Sequence, residues 1–64
     1  MKYTVDSTFG TFTRTSKREY RFAVVRKDGY MRMSETEKAA RSEYDYQVNK
    51  GREVELIELY VWEA

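Results

Sequence analysis

The sequence predicts an α+β domain: a three-stranded, mainly antiparallel sheet with one helix packed on one face, in chain order ββαβ and spatial order 2-1-3. Three observations carry that expectation. Alternating β-favouring residues fill most of positions 2–25, a capping signal at Ser34 opens a helix-tolerant stretch, and a dense apolar run at 53–62 follows Gly51. At 64 residues the chain is one domain, 1–64, and a domain of this size buries only roughly 60% of its unfolded surface.

The first strand region spans residues 2–15. Tyr3 and Val5 alternate with Lys2, Thr4 and Asp6, and Phe12 and Arg14 alternate with Thr11, Thr13 and Thr15. Gly10 inside that pattern marks a bulge or bend, so the region is one bent strand or two short ones. The polar stretch 16–19 suits a hairpin turn, after which Tyr20, Phe22 and Val24 alternate with Arg21, Ala23 and Val25 in a returning strand. Asp28-Gly29 closes that strand because the pair tolerates the positive φ of a tight turn, and residues 30–33 form a strand stub.

Ser34 as N-cap and Glu37 three positions later make a reciprocal capping box, and Lys50-Gly51 ends the helix. At about 100° per residue, Thr36, Ala40, Tyr44, Gln47 and Val48 share a side, with Tyr44 and Val48 as the anchors and Tyr46 on the flank. In the last strand Val54 and Leu56 fall on even positions, whereas Ile57, Leu59 and Val61 fall on odd ones. A strict pleat cannot bury both sets on one face. Either a bulge near Leu56-Ile57 resets the phase, turning Tyr60 and Trp62 outward, or the strand is covered on both faces.

Composition narrows the chemistry. With no His and no Cys, imidazole acid–base catalysis, His- and Cys-based nucleophiles and structural zinc are excluded. Glu35/Glu37 and Glu53/Glu55 lack a companion ligand set, and the three glycines are too far apart to cradle a phosphate. The chain therefore reads as a non-enzyme that needs no cofactor and no metal. No apolar run reaches the ~18 residues of a membrane span and no signal-peptide core opens the sequence, so a cytosolic location without membrane contact is expected.

The net charge of +1 conceals two unlike halves. Residues 1–33 hold eight basic and three acidic side chains, whereas 34–64 hold four basic and eight acidic. The halves either form poles that steer oppositely charged partners or neutralise each other across strands. With one helix on one face, the other sheet face is expected to be open. It would carry either Arg21, Ala23 and Val25 with Arg14 and Phe12, or the threonines with Tyr20 and Phe22. Arg, Tyr and Trp recur in protein-interface hot spots, and arginines interleaved with aromatics also suit bases and phosphates. The candidate partner-binding residues are Arg14, Lys17, Arg18, Arg21, Tyr60 and Trp62.

Around the first hairpin, the stretch Phe12-Thr13-Arg14-Thr15-Ser16-Lys17-Arg18-Glu19-Tyr20, followed by Ala23-Val24-Val25, resembles small accessory proteins of bacteriophages and other mobile elements. The resemblance covers about 15 residues. It implies a compact protein that binds and modulates or inhibits a host protein or nucleoprotein complex, such as defence or transcription machinery, in the host cytoplasm. The alternative expectation is a nucleic-acid-binding module that uses the basic hairpin as a homodimer.

Overall fold

A computed structural model describes residues 1–59 and the backbone of 61–62. The chain is α+β, with one helix and antiparallel strands throughout: β1 (Lys2–Ser7), β2 (Gly10–Thr15), β3 (Phe22–Arg26), β4 (Met31–Ser34), α1 (Glu37–Asn49), β5 (Val54–Glu58) and β6 (Val61–Trp62). The expected single sheet in order 2-1-3 is incorrect. The strands form two sheets of three, ordered β2-β1-β6 and β4-β3-β5.

The difference begins at the first turn. Residues 2–15 are two strands that close on each other through Thr8-Phe9, with Ser7 opposite Gly10. The Ser7 hydroxyl donates to the Gly10 carbonyl at 2.7 Å and accepts from the Phe9 amide at 3.2 Å. With β2 already on one side of β1, the segment 16–21 is not a hairpin turn but a passage from one sheet to the other. It is held at Ser16, whose amide reaches the Met1 carbonyl at 2.8 Å and whose hydroxyl accepts from the Arg18 amide at 3.1 Å. β3 then pairs with β4 through the expected turn, where Gly29 sits at φ 98° and donates to the Arg26 carbonyl at 2.9 Å. That left-handed backbone strains any residue with a Cβ, which is why Gly follows Asp28 here.

Helix α1 lies on the second sheet, against β3, β4 and β5. The first sheet covers the opposite face of that sheet, so Ala23, Val24 and Val25 are all fully buried although their side chains alternate in direction. No open face exists on β3. Ala23, Val25 and Phe12, expected to share an exposed surface, instead meet between the sheets with Tyr3, Val5, Ile57 and Leu59.

The same layering explains the mixed phase of the last strand. Leu56 lies opposite Val24 on the helix side, whereas Ile57 lies opposite Ala23 on the sheet side. Of the two expectations, covering on both faces is the one realised. Leu59 makes the last bond to the second sheet, its amide donating to the Arg21 carbonyl at 2.7 Å, and the chain then crosses to pair 61–62 with Tyr3 and Lys2 in the first.

Ser34 does not cap the helix. It is still paired with Phe22 at the end of β4 and is buried, so its backbone belongs to the ladder. Thr36 takes the role in extended conformation, its hydroxyl accepting from the Ala39 amide at 3.2 Å, and Glu37 becomes the first helical residue, paired with Arg41 at 3.0 Å. The stop is as expected: Gly51 at φ 76° lets its own amide bond Val48 and the Arg52 amide bond Gln47, a Schellman closure. Thr36→Ala is expected to cost about 0.5–2 kcal/mol and to speed exchange of the Ala39 amide. Ser34→Ala is expected to leave that exchange unchanged, which hydrogen exchange by NMR checks directly.

The buried stripe of α1 runs through Ala40 and Gln47, with Glu43 and Tyr44 half-buried. Val48, expected as an anchor, is 46% exposed because it lies about 100° around the helix from the centre of that stripe. Gln47 is buried without loss because every polar atom is used. Its carbonyl accepts from Arg26 Nη1 at 3.3 Å and Arg52 Nη1 at 2.9 Å, and its amide donates to Glu43 at 2.9 Å.

Candidate functional site

The two charged halves meet through specific pairs. Arg18 reaches Glu35 at 3.3 Å and Lys27 reaches Glu53 at 3.1 Å, each joining a basic-half residue to an acidic-half one. The carboxylate pairs noted in the sequence are thereby accounted for individually, because Glu37 binds Arg41 and Glu55 accepts from the Thr8 amide and hydroxyl at the tip of the first hairpin. Those two donors hold the Glu55 carboxyl below its ordinary range. Asp28 is lowered in the same way by the Arg26 guanidinium, which it grips with both oxygens at 2.8 Å, and by the Tyr30 amide.

Not all of the basic charge is neutralised. Among the described residues, Arg14, Lys17 and Arg21 pair with no carboxylate, and all three are exposed. Arg14 stands near the end of β2, Lys17 and Arg18 on the passage between sheets, and Arg21 at the mouth of β3. One buried side chain fixes that passage. The Tyr3 hydroxyl, rising from β1, donates to the Arg18 carbonyl at 3.0 Å and accepts from the Tyr20 amide at 2.7 Å. Lys17, Arg18 and Arg21 thus lie on an arm between the sheets rather than on a hairpin, and Arg14 stands beside it in β2, opposite Tyr3. Tyr60 lies outside the described residues, as does the side chain of Trp62, whose backbone pairs with Lys2.

Beside this arm, β4 and one side of α1 flank an open groove of about 640 Å³. Arg32, Met33 and Ser34 form its sheet wall, and Ala39, Ser42, Glu43 and Tyr46 its helix wall. Arg18, Tyr20, Glu35 and Thr36 complete the lining. Arg18 keeps 73% of its side chain exposed despite its contact with Glu35, and among the described residues Arg32 pairs with no carboxylate. Tyr46 is 53% exposed, with the Lys50 ammonium 5.5 Å from the ring centroid. The groove therefore offers two guanidinium groups, two carboxylates and the exposed Tyr46 ring, with half-buried Tyr20 and Met33 at its floor.

Of these residues only Arg18 belongs to the partner-binding set read from the sequence. Tyr20 was expected only as one alternative for an open sheet face, and Arg32 and Tyr46 were missed, although Ala39, Ser42 and Tyr46 are spaced three and four apart and so mark a second stripe on α1 beside the buried one. β4 is an edge strand. Since its even-numbered residues face the ladder with β3, starting from the Arg26 amide bonded to the Tyr30 carbonyl at 2.7 Å, the amides of Met31 and Met33 point away from the sheet. Among the described residues no group of three or more acidic side chains is placed to hold a metal ion, and no helix is long and apolar enough to cross a membrane. No protein-family model matches the chain, and neither a curated protein nor a solved structure matches it.

Proposed function

We propose that this is a non-catalytic binding protein that takes an extended segment of a partner protein into the groove between β4 and α1. The observation that carries the reading is the pairing of exposed Arg18 and Arg32 with exposed Tyr46 around an edge strand that has unused amides. Arginine and tyrosine are the side chains that most often dominate interface energy, and a free strand edge supplies main-chain bonds to any extended segment. Following the resemblance of the segment around the basic arm, the partner is a host protein or nucleoprotein complex that a phage or mobile element gains by blocking, in the host cytoplasm.

A second reading, nucleic-acid binding, is favoured by Lys17 and Arg21 on the arm with Arg14 beside it in β2. Against it, Phe9, Phe12 and Tyr20 are packed against the core between the sheets, and the exposed rings of Tyr30 and Tyr46 each carry a cation of this chain, Arg26 and Lys50. The two readings separate by salt and by nuclease. Capture of a host protein is expected to survive nuclease and to be lost in the Arg18→Glu, Arg32→Glu double variant. Micromolar binding of single- or double-stranded nucleic acid at physiological salt, weakening linearly in log salt with a slope that falls by about one for each arm cation removed, would replace the first reading by the second.

A further inference from the structure

The outer edge of β2 is the longest unpaired strand edge among the described residues, and its sequence fits itself. β2 pairs with β1 from Lys2 opposite Thr15 to Ser7 opposite Gly10, and the Ser16 amide bonded to the Met1 carbonyl sets the phase of the ladder. Phe12 and Arg14 therefore exchange bonds with Val5 and Tyr3, and the amides and carbonyls of Thr11, Thr13 and Thr15 point outward from the sheet. Proline, lysine and bulges, the usual devices that discourage pairing at an edge, are absent from Gly10–Thr15.

We propose that two copies of the chain dimerise by antiparallel pairing of β2 with β2 about a two-fold axis at Thr13, joining the two first sheets into one. In that register Thr13 faces Thr13, Thr11 faces Thr15, and Arg14 faces Phe12 of the second copy. About six main-chain bonds form between the copies. Threonine pairs and a cation beside an aromatic ring are favourable cross-strand neighbours. The competing registers are worse for identifiable reasons. Sliding the partner two residues one way sets Arg14 against Arg14, and sliding it the other way leaves Thr15 facing the turn at Thr8-Phe9. The remaining edges of the second sheet fit a second copy less well: β5 carries Glu55 and Glu58 in five residues, and β4 is four residues long beside the groove. This interface uses neither wall of that groove, so its fate is independent of the binding reading above.

Sedimentation equilibrium on the whole chain, with hydrogen exchange at high and low concentration, tests the proposal. The expected result is a concentration-dependent species of about twice the 7.7 kDa chain mass, in which the Thr11, Thr13 and Thr15 amides become protected as the dimer fills. Thr13→Pro removes an outward donor without touching the β1–β2 ladder, and Thr13→Lys sets two ammonium groups across the axis. Each is expected to weaken self-association by about tenfold or more, with an unchanged circular dichroism spectrum. Should the proline variant fail to fold, the lysine variant alone carries the test. A chain that stays monomeric at millimolar concentration, or a dimer that forms without protecting the three threonine amides or persists in the folded Thr13→Lys variant, overturns the proposal.

Discussion

Tyr3→Ala is expected to leave the chain unfolded or nearly so at room temperature. Tyr3 is fully buried between the sheets, its ring 6.5 Å from that of Tyr20, and truncating a buried aromatic costs about 3–5 kcal/mol. A chain of 64 residues has in total roughly 3–10 kcal/mol of stability to lose. Tyr3→Phe isolates the hydroxyl. The Tyr20 amide would lose its acceptor and the Arg18 carbonyl its donor, at about 1–3 kcal/mol, and the passage that presents Arg18 would be released. Urea unfolding followed by circular dichroism checks the stability, and exchange of the Tyr20 amide checks the release. A Tyr3→Phe midpoint equal to that of the parent chain would show that the hydroxyl clamp does not operate.

Leu59→Ala carries the second-largest expected loss, about 2–5 kcal/mol. Leu59 stands where the chain leaves one sheet for the other, is 8% exposed, and belongs to the apolar cluster between the layers. Its loss opens a cavity where the chain leaves β5, so the pairing of 61–62 with β1 should loosen as well. Val48→Ala makes the contrast, with an expected change within about 0.5 kcal/mol because that side chain is largely in solvent. Equal urea midpoints for these two variants would contradict the layered arrangement.

The relation between charge and binding is equally concrete. Arg18 and Lys27 join the basic and acidic halves of the sequence, whereas Arg14, Lys17 and Arg21 keep their charge exposed. Exposed charges of this kind add little to stability and act mainly on how fast and in what orientation a partner arrives. The arm is thus suited to steering. The groove, with its tyrosines and its strand edge, is suited to holding what has been steered.

Features whose physics spans a few residues were legible in the sequence: the Asp28-Gly29 turn, the strand character within 2–15 and 20–25, and a single helix stopped by Lys50-Gly51. Each depends on backbone preferences or side-chain periodicity that the residues carry wherever the chain goes. Pairing is different. Period-2 alternation says that a strand has a face to bury, but not which strand lies beside it or what covers the other side. Only the tertiary structure decided that β1 and β3 would be the centres of two separate sheets, that the last strand would serve both, and that Ser34 would be held by the β4 ladder and leave the cap to Thr36. The groove follows from that decision, since Arg18 and Arg32 lie far from Tyr46 in sequence and meet it only because α1 settles across the sheet containing β4. The sequence by itself determined the strand and helix character of most segments, the Asp28-Gly29 turn and the helix stop at Gly51. The second sheet, and with it the site, was determined by which buried faces could be covered at once, a choice that depends on long-range packing and left one local trace, the mixed apolar phase of residues 54–61.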